Sequence, residues 1–146
     1  MSDFAPEFFG GSKEAADLVA SLCFVAHVWD DLIDKDKIVE DERINTAFEL
    51  MLLEIPNNPF FLAHRVSLSP LIHTGILGFL TANAMEKSGD EHQIEIAHGL
   101  RYAVANVAAY AVEVTNGRKQ ALEILPAAWK QWMPERLDEY RKEHVL

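Results

Sequence analysis

The sequence predicts an all-α fold: a helical bundle of four main helices with short C-terminal helices, in a single helical domain over residues 1–146. Three observations predict it. Apolar residues recur at steps of three and four through each long segment, which is the period of a buried helix face. No segment carries the period-two alternation of a half-buried strand. Glycine, proline and short polar residues fall between the periodic segments, where helices start and stop.

The first helix is expected over 12–34. Ser12 follows Gly10 and Gly11 and suits an N-cap. Ala15, Leu18, Leu22, Val25, Trp29 and Leu32 then form one apolar stripe. After the charged stretch "DKDKIVEDER", the residues Ile44, Ala47, Phe48, Met51 and Ile55 repeat the spacing, and Pro56 is expected to stop this second helix. The stretch "IPNNPFFLAHRVSLSP" reads as a connection with room for one short helix. Ser69-Pro70 has the form of an N-cap with proline at the first helical position, so a third helix is expected from there to about Lys87, ended by Gly89. Its segment "LIHTGILGFL" is apolar nearly all round, which predicts a central place in the core and makes His73 a hydrogen-bonded core histidine. A fourth helix is expected from Asp90 to Asn116, stopped by Asn116-Gly117. Pro126 and Pro134 are expected to divide the tail into short helices, with Trp129 and Trp132 covering one end of the bundle.

The composition is that of an ordinary globular chain, 49% hydrophobic and 25% charged, long enough to bury a core without a disulfide or a structural metal. Acids outnumber bases 23 to 13, for a formal charge of −10. That balance argues against nucleic acid and against anionic membrane surfaces as partners. The lone Cys23 excludes an intrachain disulfide and reads as a small buried thiol. The start, "MSDFAPEFF", has no basic region and no signal-type apolar core, so a cytoplasmic location is expected. Phosphate-loop, dinucleotide and nucleophile-elbow motifs are absent.

Chemistry is most legible at the end of the first helix, "HVWDDLIDKD". Opposite the apolar stripe run Ala16, Ala20, Cys23, His27, Asp31 and Asp34, with Asp30 beside them. The face begins small and apolar and turns acidic, as the wall and mouth of a pocket would. Like charges at Asp30 and Asp34 cost about 0.2–0.5 kcal/mol. Each carboxylate near a helix C-terminus opposes the macrodipole by about 0.3–1 kcal/mol. A bridging divalent cation reverses both penalties, and an all-oxygen set favours Mg²⁺ or Mn²⁺. The alternative is a solvated acidic helix end, neutralised in part by Lys35, Lys37 and Arg43.

The fourth helix also has two faces. Leu100, Val104, Val107, Ala111 and Val114 form one; Glu95, Tyr102, Asn106, Tyr110 and Glu113 form the other, with His98 at its edge. Tyr102, Asn106, Tyr110 and Glu113, with His27 of the first helix, are candidate ligand-binding residues, and Arg101 or Arg43 is the candidate contact for a phosphate. A polar network inside the bundle or an oligomer interface accounts for the same face. Glu95-x-x-His98 is half of a di-iron bundle signature, and no second Glu-x-x-His accompanies it.

The run Asp30-Asp31-x-x-Asp34 resembles the first aspartate-rich motif of the class I isoprenoid synthases, the trans-prenyltransferase and terpene-cyclase superfamily. The resemblance implies an all-α fold in which Asp30, Asp31 and Asp34 bind Mg²⁺ and the metal holds a substrate diphosphate. It covers about ten residues. The Arg-Arg-Gly that follows in prenyltransferases is represented by Arg43 alone, and no second aspartate pair occurs. Asn106 and Glu113 echo the cyclases' second motif one residue short. All-α nucleotide pyrophosphohydrolases are similar in size and acidity, without their paired acidic motifs here.

Two functional expectations follow. One is a non-enzymatic adaptor or oligomer-forming accessory protein, with a second copy or another protein as partner. The other is a Mg²⁺-dependent binder or enzyme for a diphosphate-bearing ligand.

Overall fold

A computed structural model describes residues 4–144. The chain is an all-α helical bundle, with no strand among the described residues. Its helices gather into two compact units, Met1–Arg65 and Val66–Leu146.

In the first unit a 3-10 turn, Pro6–Phe9, closes on Gly10 in the left-handed conformation. Helix α1 follows as Lys13–Asp34. Ser12 caps it as expected, its hydroxyl accepting the Ala15 N–H at 3.2 Å. Its first half is buried on both of the faces read from sequence, through Ala15, Ala16, Leu18 and Val19. Further on, Val28 packs with Val39 and Ala47, flanked by Phe24, Val25 and Ile44. Lys35 ends the helix at φ 58, its N–H returning to the Asp31 carbonyl.

Helix α2, Asp41–Glu49, starts with Asp41 and Glu42, which suit the positive end of the dipole. Pro56 does not stop it at Ile55. A π turn, Leu50–Glu54, intervenes, with the Ile55 N–H reaching back to the Leu50 carbonyl. Helix α3, Ile55–Asn57, then carries Pro56. The i→i−4 ladder is already interrupted before the proline, so its missing donor breaks little. Asn58 caps the short helix α4, Pro59–Ala63, by accepting the Phe61 N–H at 3.0 Å. The same side chain donates to the Glu14 carbonyl of α1 at 2.9 Å.

Helix α5, Arg65–Glu86, begins one turn before the expected Ser69-Pro70 and contains Pro70. The missing proline N–H would have met the carbonyl of Val66, a residue that is 89% exposed. Pro126 behaves alike: it lies within α8, Arg118–Trp132, and the carbonyl it leaves belongs to exposed Leu122. Pro134 does separate α8 from α9, Leu137–His144. Trp132 is buried, and its ring meets Trp129 edge-on at 6.3 Å.

The central place in the core expected for α5 is overturned. Only Leu68 and Ala82 of α5 are buried, and His73 is exposed rather than a core histidine. Close packing is confined to one side, where Gly75 and Gly78 admit Ala103 and Leu100. A helix apolar all round carries no information about which side its neighbours take.

The expected fourth helix is two: α6, Glu91–Leu100, and α7, Ala103–Asn116. Asp90 caps α6 by accepting the Gln93 N–H. At the break the Tyr102 N–H turns back to the Gly99 carbonyl, three residues away. Gly99 is the weakest helix former in the run, and the tightened turn falls beside it. Gly117 (φ 84) ends α7 as expected. Helix α7 packs on α8; Ala105, Ala108 and Val112 are buried on the first and Ala121 and Ala128 on the second. A second cluster joins Ala82, Ile94, Ala97 and Tyr140, with Met85 and Leu100 at its margin.

Candidate functional site

The acidic end of α1 lies in the first unit. Asp30 and Asp31 are half-buried and Asp34 is exposed. Asp31 accepts a hydrogen bond from Arg43 at 3.0 Å and pairs with Lys37 at 3.4 Å. Burial pushes its carboxyl upward, but the hydrogen bond from Arg43 and the charge of Lys37 outweigh that push and hold it below the usual carboxylate range. The residues after α1 thus supply the cations that an acidic helix end needs. His27 is exposed, its Nε2 4.0 Å from Cys23 Sγ, and Cys23 is half-buried rather than fully enclosed. Among the described residues no group of three or more His, Cys, Asp or Glu side chains is placed to hold a metal ion.

The other candidates lie in the second unit. Arg101, read as a phosphate contact, is committed internally. Its Nε donates to Glu86 at 3.0 Å, its terminal nitrogen to Glu86 again and to Asn83 at 2.7 Å, and its guanidinium lies 5.2 Å from the Phe79 ring centre. The break between α6 and α7 places Arg101 at the end of α6, where it meets the end of α5. Glu113 pairs with Arg118 at 2.8 Å. Tyr102 and Tyr110 are half-buried and Asn106 is exposed. Burial and the nearby Glu135 carboxylate push the Tyr102 phenol upward. Arg101 and Glu113, both candidate ligand-binding residues of the expected fourth helix, therefore serve different carboxylate–arginine pairs.

Sequence reasoning missed the centre of this unit, Glu86. Besides Arg101, it accepts a hydrogen bond from the Tyr140 hydroxyl and lies 3.7 Å from His144 Nε2. Burial pushes its carboxyl upward; the hydrogen bonds from Arg101 and Tyr140, with the Arg101 charge, outweigh that and hold it low. Burial and the bond to Glu86 push the Tyr140 phenol far up, so it stays a donor at every ordinary pH. His98, buried, lies 3.0 Å from the Glu135 carbonyl, and its ring meets that of Tyr140 in a tilted contact at 4.8 Å. Glu86 ends the uncharged run Val66–Met85 at a helix C-terminus, where a carboxylate is unfavourable without a cation. That signal was available. The arrangement is closed and satisfied, which suits holding helices together rather than turning over a substrate.

An open groove of about 600 Å³ lies in the first unit. Leu18, Phe24 and Leu50 form part of its wall, and Glu14, Glu49 and Glu54 stand around it. Its α2 side is the π turn, which splays Leu50 and Glu54 by one extra residue per turn.

Compared with known proteins, the chain matches no family model, and no curated protein or solved structure matches it significantly.

Proposed function

We propose that this protein is a non-enzymatic helical accessory protein that works by self-association, with a second copy as its partner. The apolar face of α5 carries the proposal. Val66 is 89% exposed, Leu77 54%, Leu80 49% and Ile76 38%. From Val66 to Met85 the helix has no Asp, Glu, Lys or Arg. Two chains of formal charge −10 repel over most of their surfaces, so an uncharged, apolar helix face is where like copies approach at least electrostatic cost. Burying a fully exposed Leu or Ile side chain is worth about 1.5–3 kcal/mol. Several partly exposed ones on one face supply a useful fraction of an association energy. Sedimentation velocity over a concentration series tests the proposal, with Leu77→Glu as the disrupting variant.

The second reading keeps Asp30, Asp31 and Asp34 as ligands for Mg²⁺ or Mn²⁺ and, through the metal, for a diphosphate. Its support is their common place at one helix end, and it requires Arg43 and Lys37 to release Asp31.

A further inference from the structure

Helix α9 is held in a way that sets it apart from the other helices of its unit. Tyr140 is its one buried residue. Apart from the Tyr140 ring, which packs with Ala82, Ile94 and Ala97 and against His98, its long-range contacts are polar: the Tyr140 hydroxyl on Glu86, His144 against the same carboxylate, and Arg141 on Glu91 at 2.6 Å. The link from α8 is short. The Met133 N–H closes α8 on the Trp129 carbonyl, and Pro134 has no N–H to give. The Arg136 N–H is accepted by Glu139 at 3.1 Å, so α9 supplies a cap from within itself. On the other side the seat is built from α5 and α6. Arg101 holds Glu86 and Asn83 through hydrogen bonds that do not pass through Tyr140, and Ile94 and Ala97 belong to α6.

We propose that α9 is a releasable strap, with the Tyr140 hydroxyl on Glu86 as its catch, closing over a preformed apolar seat made of Ala82, Ile94 and Ala97. An eight-residue helix is not stable by itself, so release and melting of α9 are one event. Opening exposes the seat, to which α5 contributes Ala82 and Met85 from its packed side. The strap therefore sets how much apolar surface this end of the unit presents.

Amide hydrogen exchange of the full chain at neutral pH, read by mass spectrometry, tests this in monomer and oligomer alike. The amides of Tyr140–His144 are expected to exchange at least about tenfold faster than those of Val107–Val112 in α7, because they open without global unfolding. Tyr140→Phe, which removes the catch and keeps the ring, should speed α9 by a further factor of about 5–10 and leave α7 unchanged. Arg141→Ala, at an exposed pair, should change α9 exchange less than about threefold. Protection of α9 equal to that of α7 would overturn the strap. An Arg141→Ala effect as large as that of Tyr140→Phe, or no effect of Tyr140→Phe, would overturn the catch.

Discussion

Replacing Arg101 by methionine removes the cation that keeps Glu86 charged inside the second unit. The variant loses two hydrogen bonds to the carboxylate, one to Asn83, and the contact with the Phe79 ring. Both side chains of the pair are mostly buried, Arg101 at 14% and Glu86 at 12% exposure, so water screens the pair less than a surface bridge. Breaking a fully buried pair costs about 3–5 kcal/mol. Glu86 keeps the Tyr140 hydroxyl and the neighbouring His144, which places the expected loss near the low end, about 3 kcal/mol. For a chain of this size that lowers the melting temperature by roughly 6–12 °C. Urea denaturation at pH 7 measures it. The double variant Arg101→Met with Glu86→Leu should recover at least about half of the loss, because no charge is then stranded. A single-variant loss under about 0.5 kcal/mol, or a double variant as unstable as the sum of the two singles, would refute the reasoning.

Glu86 also gives a pH dependence. Its folded pKa lies below its unfolded value, so its contribution is full above about pH 4.5 and is lost as pH falls through the lower folded value. Glu135 has its carboxyl raised by burial and by Glu143, so protonating it in acid gives a partial offset. A stability profile from pH 7 to 3 should fall at the acid end, and Glu86→Gln should flatten that fall. Gly78→Ala should stabilise by about 0.5–1 kcal/mol through helix propensity, since the new methyl meets Leu100 at an ordinary 3.7 Å. Gly75→Ala should not, because its methyl presses on Ala103 at 3.2 Å; thermal denaturation of the two variants compares them directly. If the three aspartates hold a cation, millimolar Mg²⁺ raises the melting temperature of the natural chain and not of Asp31→Asn. The absence of any shift removes the metal reading.

Much of the fold was legible because local rules decide it. The Ser12 and Asp90 caps, the ends at Asp34 and Gly117, and the helical period of each segment are written in neighbouring residues. The errors arise where a distant or exposed group decides. Pro70 and Pro126 stay inside helices because the carbonyls they orphan belong to exposed Val66 and Leu122, and exposure is not a local property. The face of α5 that stays open depends on which neighbours Gly75 and Gly78 admit. The candidate site was less legible for the same reason. The rule that a carboxylate at a helix C-terminus needs a cation was applied to Asp30, Asp31 and Asp34, where Arg43 and Lys37 supply cations to Asp31. It applied equally to Glu86, whose cation, Arg101, had been assigned to an external phosphate. Sequence spacing shows that a charge needs a partner and leaves open whether the partner is a side chain, a metal or a ligand.

Self-association through α5 is tested most directly by sedimentation velocity on the natural chain and on Leu77→Glu with Leu80→Glu. The variant places two carboxylates on a surface that is already exposed, so its helical circular dichroism should match that of the natural chain. The account predicts a concentration-dependent oligomer for the natural chain and a monomer for the variant. A natural chain that stays monomeric at every attainable concentration, or a variant that associates as the natural chain does, would contradict it.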